Sequence, residues 1–378
     1  MLQRHISLTL ASALLMLAEP LVQAQMQHCE VNGKDVNPSN GYTTADKTGI
    51  MRCKGEDGKL RREEEIRAGK FIGLRRFYND DGSYNESTIN EQGNRHGRYR
   101  EFFPGNKLKA DEQYDNGSSH GLGKRFFDNG QLQRIGFSDK GKEIAAIEYQ
   151  KDGKLARVRC ASQSLFPEDK AVCGFGGKAS DLSLYNSRGQ LVAKEVWLAG
   201  VMASRSELND GVPTRSVSFA NNVRTTRSYF KDGKLHEESV MNDAGGERNR
   251  QGQDGVEKEW AANGQLIREV SWKDGLQTRQ TQWYMNGNLR EKLQNDGAGA
   301  KRLTQVERYW DNGKVQTRET QRGRSVVGIS QHFDEEGHLR REELYDDKSV
   351  LKTRKEYDAS GKLLKDEEFF EDGSRKRH

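Results

Sequence analysis

A short phrase recurs along most of this chain: an aromatic residue, polar residues, a glycine, and a leucine two positions later. It is clearest at Phe126-Phe127-Asp128-Asn129-Gly130-Gln131-Leu132, at Tyr229-Phe230-Lys231-Asp232-Gly233-Lys234-Leu235 and at Trp283-Tyr284-Met285-Asn286-Gly287-Asn288-Leu289. Weaker copies end at Leu60, Leu155, Leu191, Leu266, Val315, Leu339 and Leu363. The glycines keep a steady interval: 23 residues from Gly130 to Gly153 and from Gly264 to Gly287, 24 from Gly313 to Gly337 and from Gly337 to Gly361. A fixed period of this length is the mark of a repeat architecture, in which each unit buries its apolar residues only against its neighbours.

Asn-Gly or Asp-Gly between aromatic and β-branched residues is a strong hairpin signal, so the repeat glycines are expected in type I′ turns, with positive φ at both central residues. A second turn falls inside each unit, at Ile66-Arg67-Ala68-Gly69, Ile89-Asn90-Glu91-Gln92-Gly93, Tyr114-Asp115-Asn116-Gly117 and Trp272-Lys273-Asp274-Gly275. One repeat then reads strand, turn, strand, turn. The predicted fold is all-β: an extended antiparallel meander of repeated hairpins, about 23–24 residues each, with loop insertions.

Two other folds compete. Hydrophobic residues are 33%, charged residues 31% and mean hydropathy is −0.98, values that lean toward disorder. The periodic aromatics and the presence of only 5 prolines favour an ordered thin sheet, which needs few apolar residues per strand. Charged runs such as Arg61-Arg62-Glu63-Glu64-Glu65 have helical propensity but are too short between glycines to nucleate a helix alone.

Arg4, an apolar run from Ile6 to Ala18 and Val22-Gln23-Ala24 read as a signal peptide cleaved after Ala24. That predicts an exported, soluble chain of about 354 residues (378 less 24). Cys29, Cys53, Cys160 and Cys173 allow three pairings, and proximity favours Cys29–Cys53 and Cys160–Cys173. The absence of Cys-x-x-Cys, and of histidines at ligand spacing, argues against a metal site. Net charge is +5, with both signs mixed along the chain and no basic block of the kind a nucleic-acid track needs.

The repeat breaks in three places. Residues 25–53 read as a disulfide-tied N-terminal cap, followed by repeats over 54–155. Residues 156–182, with Phe166, Phe175 and two cysteines, read as a stapled insertion that is either a binding element or a surface loop. Repeats resume over 183–378, interrupted by a polar loop near 241–256. Insertions in repeat arrays often carry binding.

No Gly-x-Ser-x-Gly elbow, P-loop, His-Glu-x-x-His or dinucleotide fingerprint occurs, so no catalytic or cofactor-binding residue is assigned and the chain is not expected to be an enzyme. His96 and His120 precede glycines in successive units and read as polar turn residues. Trp260, Trp283 and Trp310 fall at the repeat's aromatic position, and Trp197 and Trp272 before the inner turn. Periodic placement means packing first. Yet a thin sheet leaves some rings partly bare, and such rings anchor interfaces. These five, with Phe166 and Phe175, are the candidate partner contacts.

The unit Tyr114-x-x-Gly117-x-x-x-Gly121-x-Gly123 is similar to a MORN repeat, with one extra residue between the aromatic and the first glycine. Followed by the aromatic–Asn-Gly–Leu phrase, it resembles the MORN-variant repeats of bacterial YwqK-type antitoxins over most of 54–373, with gaps at 156–182, 192–222 and 241–256. That resemblance implies an inhibitor of a toxin. Joined to an export signal, it implies a periplasmic immunity protein against a type VI secretion effector, a phospholipase of the D class. The alternative is a cell-envelope module that recognises lipid headgroups or glycan.

Overall fold

The computed structural model describes residues 27–242, 254–297, 299 and 302–378. The expected leader at 1–24 and residues 243–253 of the polar loop lie outside the described residues. The structure is antiparallel β almost throughout, a long meander of hairpins. By internal contacts it divides into two compact units, Met1–Gly121 and Leu122–His378.

In the first unit, strand His28–Val31 lies between Lys34–Val36 and Gly49–Lys54. The meander continues through Leu60–Arg67, Lys70–Tyr78, Tyr84–Ile89, Arg95–Phe103 and Lys107–Asp115. Its core is small: Cys29, Val31, Val36, Met51, Cys53 and Ile66, with Phe71 against it. Cys29 and Cys53 are direct cross-strand partners and form a disulfide, their Cα atoms 4.0 Å apart. The bond staples the first hairpin onto the strand that opens the array.

The second unit opens with strands Gly121–Phe126, Leu132–Asp139, Lys142–Tyr149 and Leu155–Arg159, the first of these beginning at the unit boundary. After an irregular segment carrying the four-residue helix Asp169–Val172, a 17-stranded sheet runs from Ser180–Tyr185 to Arg375–Arg377 in strict sequence order. Each strand of that sheet packs chiefly on its sequence neighbours. Beyond the first strands, on which the irregular segment packs, burial concentrates in one central row. Val270, Gln280, Leu293, Val306, Glu319, Ser330, Glu343, Arg354 and Glu367 succeed one another across nine strands as cross-strand partners. Val270, Val306, Ser330, Glu343 and Glu367 in this row are buried. A single sheet can cover only the middle of its strands, where flanking side chains close over the row.

The repeat phrase has a direct structural reason. The aromatic ends one strand and sits opposite the leucine that opens the next: Tyr229 opposite Leu235, Trp260 opposite Leu266, Trp283 opposite Leu289. The pair closes each hairpin beside its turn, a cross-strand aromatic–aliphatic contact of the stabilising kind.

One expectation is corrected. The repeat glycines do not occupy type I′ turns. In the turn at Phe127–Gln131, Phe127 N donates to Gln131 O and Gly130 N to Phe127 O, both at 2.9 Å. Only Gly130, at φ +84°, takes the left-handed conformation; Asp128 and Asn129 do not. This is a type I turn closed by a left-handed glycine and a bulge. The Asn or Asp before the glycine therefore serves another purpose: its side chain accepts from the amide two residues on. Asn129 Oδ1 takes Gln131 N at 3.0 Å, Asp152 takes Lys154 N at 3.1 Å, and Asn312 takes Lys314 N at 2.9 Å. True type I′ turns occur at inner positions, where Ala68-Gly69, Asn116-Gly117 and Asp274-Gly275 have positive φ at both residues. The expected inner turn at Asn90–Gly93 instead has the five-residue form, Asn90 N donating to Asn94 O at 2.9 Å.

Candidate functional site

Successive five-residue turns on one edge of the large sheet are cross-linked. Asn286 Nδ2 and Asn288 Nδ2 donate to Asp311 O at 2.8 and 2.7 Å, and Tyr284 Oη donates to Tyr309 O at 2.8 Å. One repeat later, Asn312 Nδ2 donates to Glu335 O at 2.8 Å and Lys314 Nζ to Glu336 O at 2.8 Å. Identical turns two strands apart bring side chains of one to the carbonyls of the next. The edge is thereby a rigid, repeated polar surface.

The candidate contact aromatics divide. Phe166 is buried, packed with Ile135, Ala145 and Ile147. It belongs to the core and cannot touch a partner as it stands. Phe175 and Trp197 are half-buried and pack on the cluster of Val158, Cys173, Leu182, Leu184 and Ala193. Trp197 Nε1 also donates to Glu195 at 2.9 Å. Trp260, Trp272, Trp283 and Trp310 are each half-buried. Trp260 and Trp283 end their strands, Trp272 is the last but one in its strand, and Trp310 opens the turn after Tyr309, the aromatic that faces Val315. Trp310 Nε1 donates to Phe333 O at 3.2 Å. All four keep part of the ring accessible while packing in the repeat.

The segment 156–182 has a packing role. Cys160 and Cys173 are disulfide-bonded. Gly200 N donates to Cys173 O at 2.8 Å and Ala199 N to Gly174 O at 3.1 Å, so the segment seats on the turn at 199–200. A Cβ on Gly174 would lie 2.5 Å from Trp197 O, and one on Gly200 would lie 2.0 Å from Ala161 O. Buried Asp169 holds the segment's inner loop, accepting from Ser164 Oγ at 2.6 Å and Leu165 N at 2.7 Å.

The faces of the sheets carry ordered charge. In the first unit, Arg52, Glu63, Arg76, Glu86 and Arg100 are successive cross-strand partners of alternating sign. Arg52–Glu63 lie at 3.0 Å and Arg76–Glu86 at 2.9 Å, and Arg100 also pairs with Glu86. Arg52 and Tyr78 Oη both bond Glu63; its carboxyl lies below the usual range because these bonds and Arg76 outweigh the burial that pushes it up. Tyr78 is correspondingly pushed up to about 12, by burial first and Glu63 second. In the large sheet, Arg227–Glu238, Lys258–Glu269 and Glu307–Arg318 repeat the pattern at 2.7, 3.6 and 3.0 Å. Such rows favour this register, since a slip of one residue would move every side chain to the other face and break the matched pairs.

The alternation is not complete: Glu30 faces Asp35 and Arg67 faces Lys70. Glu237 and Glu259 are direct cross-strand partners. They line a groove of about 410 Å³ with Ser228, Glu257 and Arg268. Sequence reading missed this groove, because pairing across a loop sets which glutamates meet. The only sequence signal is the acidic density of both strands.

Two constellations bear on chemistry. Ser330 Oγ lies 3.3 Å from His332 Nε2, and Glu343 Oε2 lies 3.7 Å from the same nitrogen. A relay needs serine and acid on opposite ring nitrogens, and here both meet Nε2 while Ser330 is buried. Among the described residues, Asp334, Glu336 and His338 are the group whose potential metal-ligating atoms cluster within 4.8 Å. Asp334 is already committed as the turn acceptor of His338 N at 2.7 Å, and Arg340 stands 4.0 Å from it. Among the described residues no helix is long and apolar enough to cross a membrane.

The fold and its surfaces define a repeat protein of serial β-hairpins. Residues 95–116, 119–139, 253–274 and 326–347 match the MORN repeat variant, and the chain carries that repeat at these four places. Such repeats serve as binding modules. No curated protein matches the chain significantly. Among solved structures, the crystal structure of TcdB2-TccC3-TEV is 10% identical with a TM-score of 0.18; the alignment covers 92% of this chain but only 22% of that one. A crystal structure of the eukaryotic initiation factor is 10% identical, TM-score 0.18, with 85% and 83% covered. Likenesses at this level carry no argument.

Proposed function

We propose that this chain is an exported immunity protein that binds a toxic secreted effector and neutralises it by covering its active-site entrance or membrane-docking face. The observation that carries the reading is the surface itself. Cross-linked turns, charge rows of fixed register and half-buried tryptophans offer a large rigid area for contact. Inhibition by occlusion needs such an area and a few desolvated anchors, with no reactive group. The disulfides at Cys29–Cys53 and Cys160–Cys173 are compatible with an oxidising, exported compartment such as the periplasm. The resemblance of the repeat to YwqK-type antitoxins supports a toxin as partner, and a type VI phospholipase of the D class as its kind.

The test is direct. Purified protein is titrated into the toxin encoded beside it, and toxin activity is followed. The expected outcome is loss of activity near one equivalent. Activity that survives a large excess rejects the reading. Sedimentation with liposomes or cell wall, in the absence of any protein partner, would instead favour an envelope-binding module.

A further inference from the structure

The hydrogen-bonded meander is interrupted once within the second unit. Its opening strands end at Leu155–Arg159, the large sheet begins at Ser180–Tyr185, and among the described residues no ladder joins these two strands. In a serial repeat, cooperativity passes between neighbours through their shared interface, so this break is the weak joint of the array. The irregular segment spans it. Cys160 directly follows Arg159, the last residue of the opening strands. Its partner Cys173 offers its carbonyl to Gly200 N at 2.8 Å, and Gly174 O takes Ala199 N at 3.1 Å. Residues 199–200 are the turn between Leu191–Leu198 and Val201–Asn209 of the large sheet. The disulfide thus ties the end of one set of strands to a turn of the next. Around it Val158, from the opening strands, and Leu182, Leu184 and Ala193, from the large sheet, close one apolar cluster with Cys173. Gln150 Nε2 donates to Tyr185 O at 2.7 Å across the same joint. The two sulfur-bearing residues are unequally placed: Cys173 is fully buried and Cys160 is half-buried.

We propose that Cys160–Cys173 is a redox clamp across this joint, opened by a dithiol reductant that attacks at Cys160. Exchange requires access to the sulfur attacked, and Cys160 is the accessible one. A thiolate of the reductant bonds to Cys160 Sγ, the Cys160–Cys173 bond breaks, and Cys173 leaves as a thiolate. The reductant's second thiolate then attacks its own sulfur in the mixed disulfide, and Cys160 leaves as a thiolate. The reductant departs as a cyclic disulfide, two electrons pass to the protein, and the two protons of the dithiol end on the two cysteines. Opening leaves Phe166 packed with Ile135 and Ile147 on the opening strands, so each side keeps its own core and the covalent tie across the joint is what is lost. The clamp is independent of the toxin reading; its failure would leave that reading intact, and toxin neutralisation would not establish it.

Two measurements on the full chain test it. The first identifies the sulfur attacked. Oxidised protein is exposed to reduced glutathione, quenched with a maleimide and digested for mass spectrometry. The expected product carries glutathione on Cys160 and the maleimide on Cys173. Cys29 and Cys53 are both buried, so the first disulfide stays intact meanwhile and serves as the internal control. Glutathione found on Cys173, or prior opening of Cys29–Cys53, overturns the proposal. The second follows hydrogen exchange at rising urea. It compares strands Leu132–Asp139 and Lys142–Tyr149 with strands Leu191–Leu198 and Val201–Asn209. With the clamp closed the two sets lose protection at one shared midpoint; with Cys160→Ala and Cys173→Ala, or in the dithiol-reduced chain, they part into two. A shared midpoint in both states, or separate midpoints in both, overturns the clamp.

Discussion

Glu237 and Glu259 face each other directly across neighbouring strands, two carboxylates where pairs such as Arg227–Glu238 and Arg52–Glu63 set opposite signs together. Ser228 Oγ reaches Glu237 at 3.4 Å. Glu259 meets Arg268 on its other side as a cross-strand partner. Like charges held directly opposite weaken a sheet, and this pair lines the groove on that face.

Replacing Glu259 by glutamine removes the repulsion and keeps the shape. The expected change is a gain of about 0.2–1 kcal/mol, larger at low salt. Urea unfolding at two ionic strengths measures it. A loss of stability in both would show that Glu259 is held by attraction.

Breaking the second disulfide should act locally. Cys160→Ala with Cys173→Ala frees a loop of 14 residues, worth about 3 kcal/mol in the chain-entropy model. Hydrogen exchange should quicken first at Ala199 and Gly200, whose amides bond that segment. Uniform loss of protection over the whole sheet would contradict a local role.

The two turn types predict unequal costs for alanine. Gly313 stands at φ +85° with its nearest neighbour 3.7 Å from an added Cβ, so Gly313→Ala should cost about 1–2 kcal/mol from backbone strain alone. Gly200→Ala adds a collision with Ala161 O at 2.0 Å and should cost more. Thermal unfolding of the two variants ranks them, and equal costs would mean the segment 156–182 does not seat on that turn.

Two groups give the fold a pH dependence. Glu307 lies below the usual carboxylate range because Tyr309 and Arg318 donate to it. The native state thus binds its proton less readily than the unfolded chain. That stability is present above the ordinary glutamate value and is lost as pH falls through the lower folded value. His332 is also lowered, by burial and then by Arg341. Between its folded value and the usual 6.5 the unfolded chain holds more protons, so stability also declines as pH drops below that point. Unfolding midpoints from pH 7 to 3 should fall in both ranges. His332→Gln should flatten the upper one and Tyr309→Phe the lower.

Much of the fold was legible in the chain. Each aromatic-to-leucine interval, as in Trp283 to Leu289, encloses one hairpin, and the glycine between marks its turn. Proximity gave both disulfide pairings. The turn type is not legible from Asn-Gly, which is compatible with two geometries; the count of residues between the paired aromatic and leucine decides between them. The burial of Phe166 has no mark in the sequence because its neighbours Ile135 and Ile147 are distant along the chain.

The candidate sites were less legible for a related reason. A period of 23–24 residues determines that strands pair in order, since each unit can bury its aromatic only against its own next strand. It does not determine which charges stand opposite each other. Bulges such as that between Arg308 and Tyr309 shift the register by a residue within a single hairpin. The amino-acid sequence alone therefore set the ladder of hairpins. Only the folded register placed Glu237 against Glu259, because side chains meet across strands according to hydrogen-bond pairing and not according to their spacing along the chain.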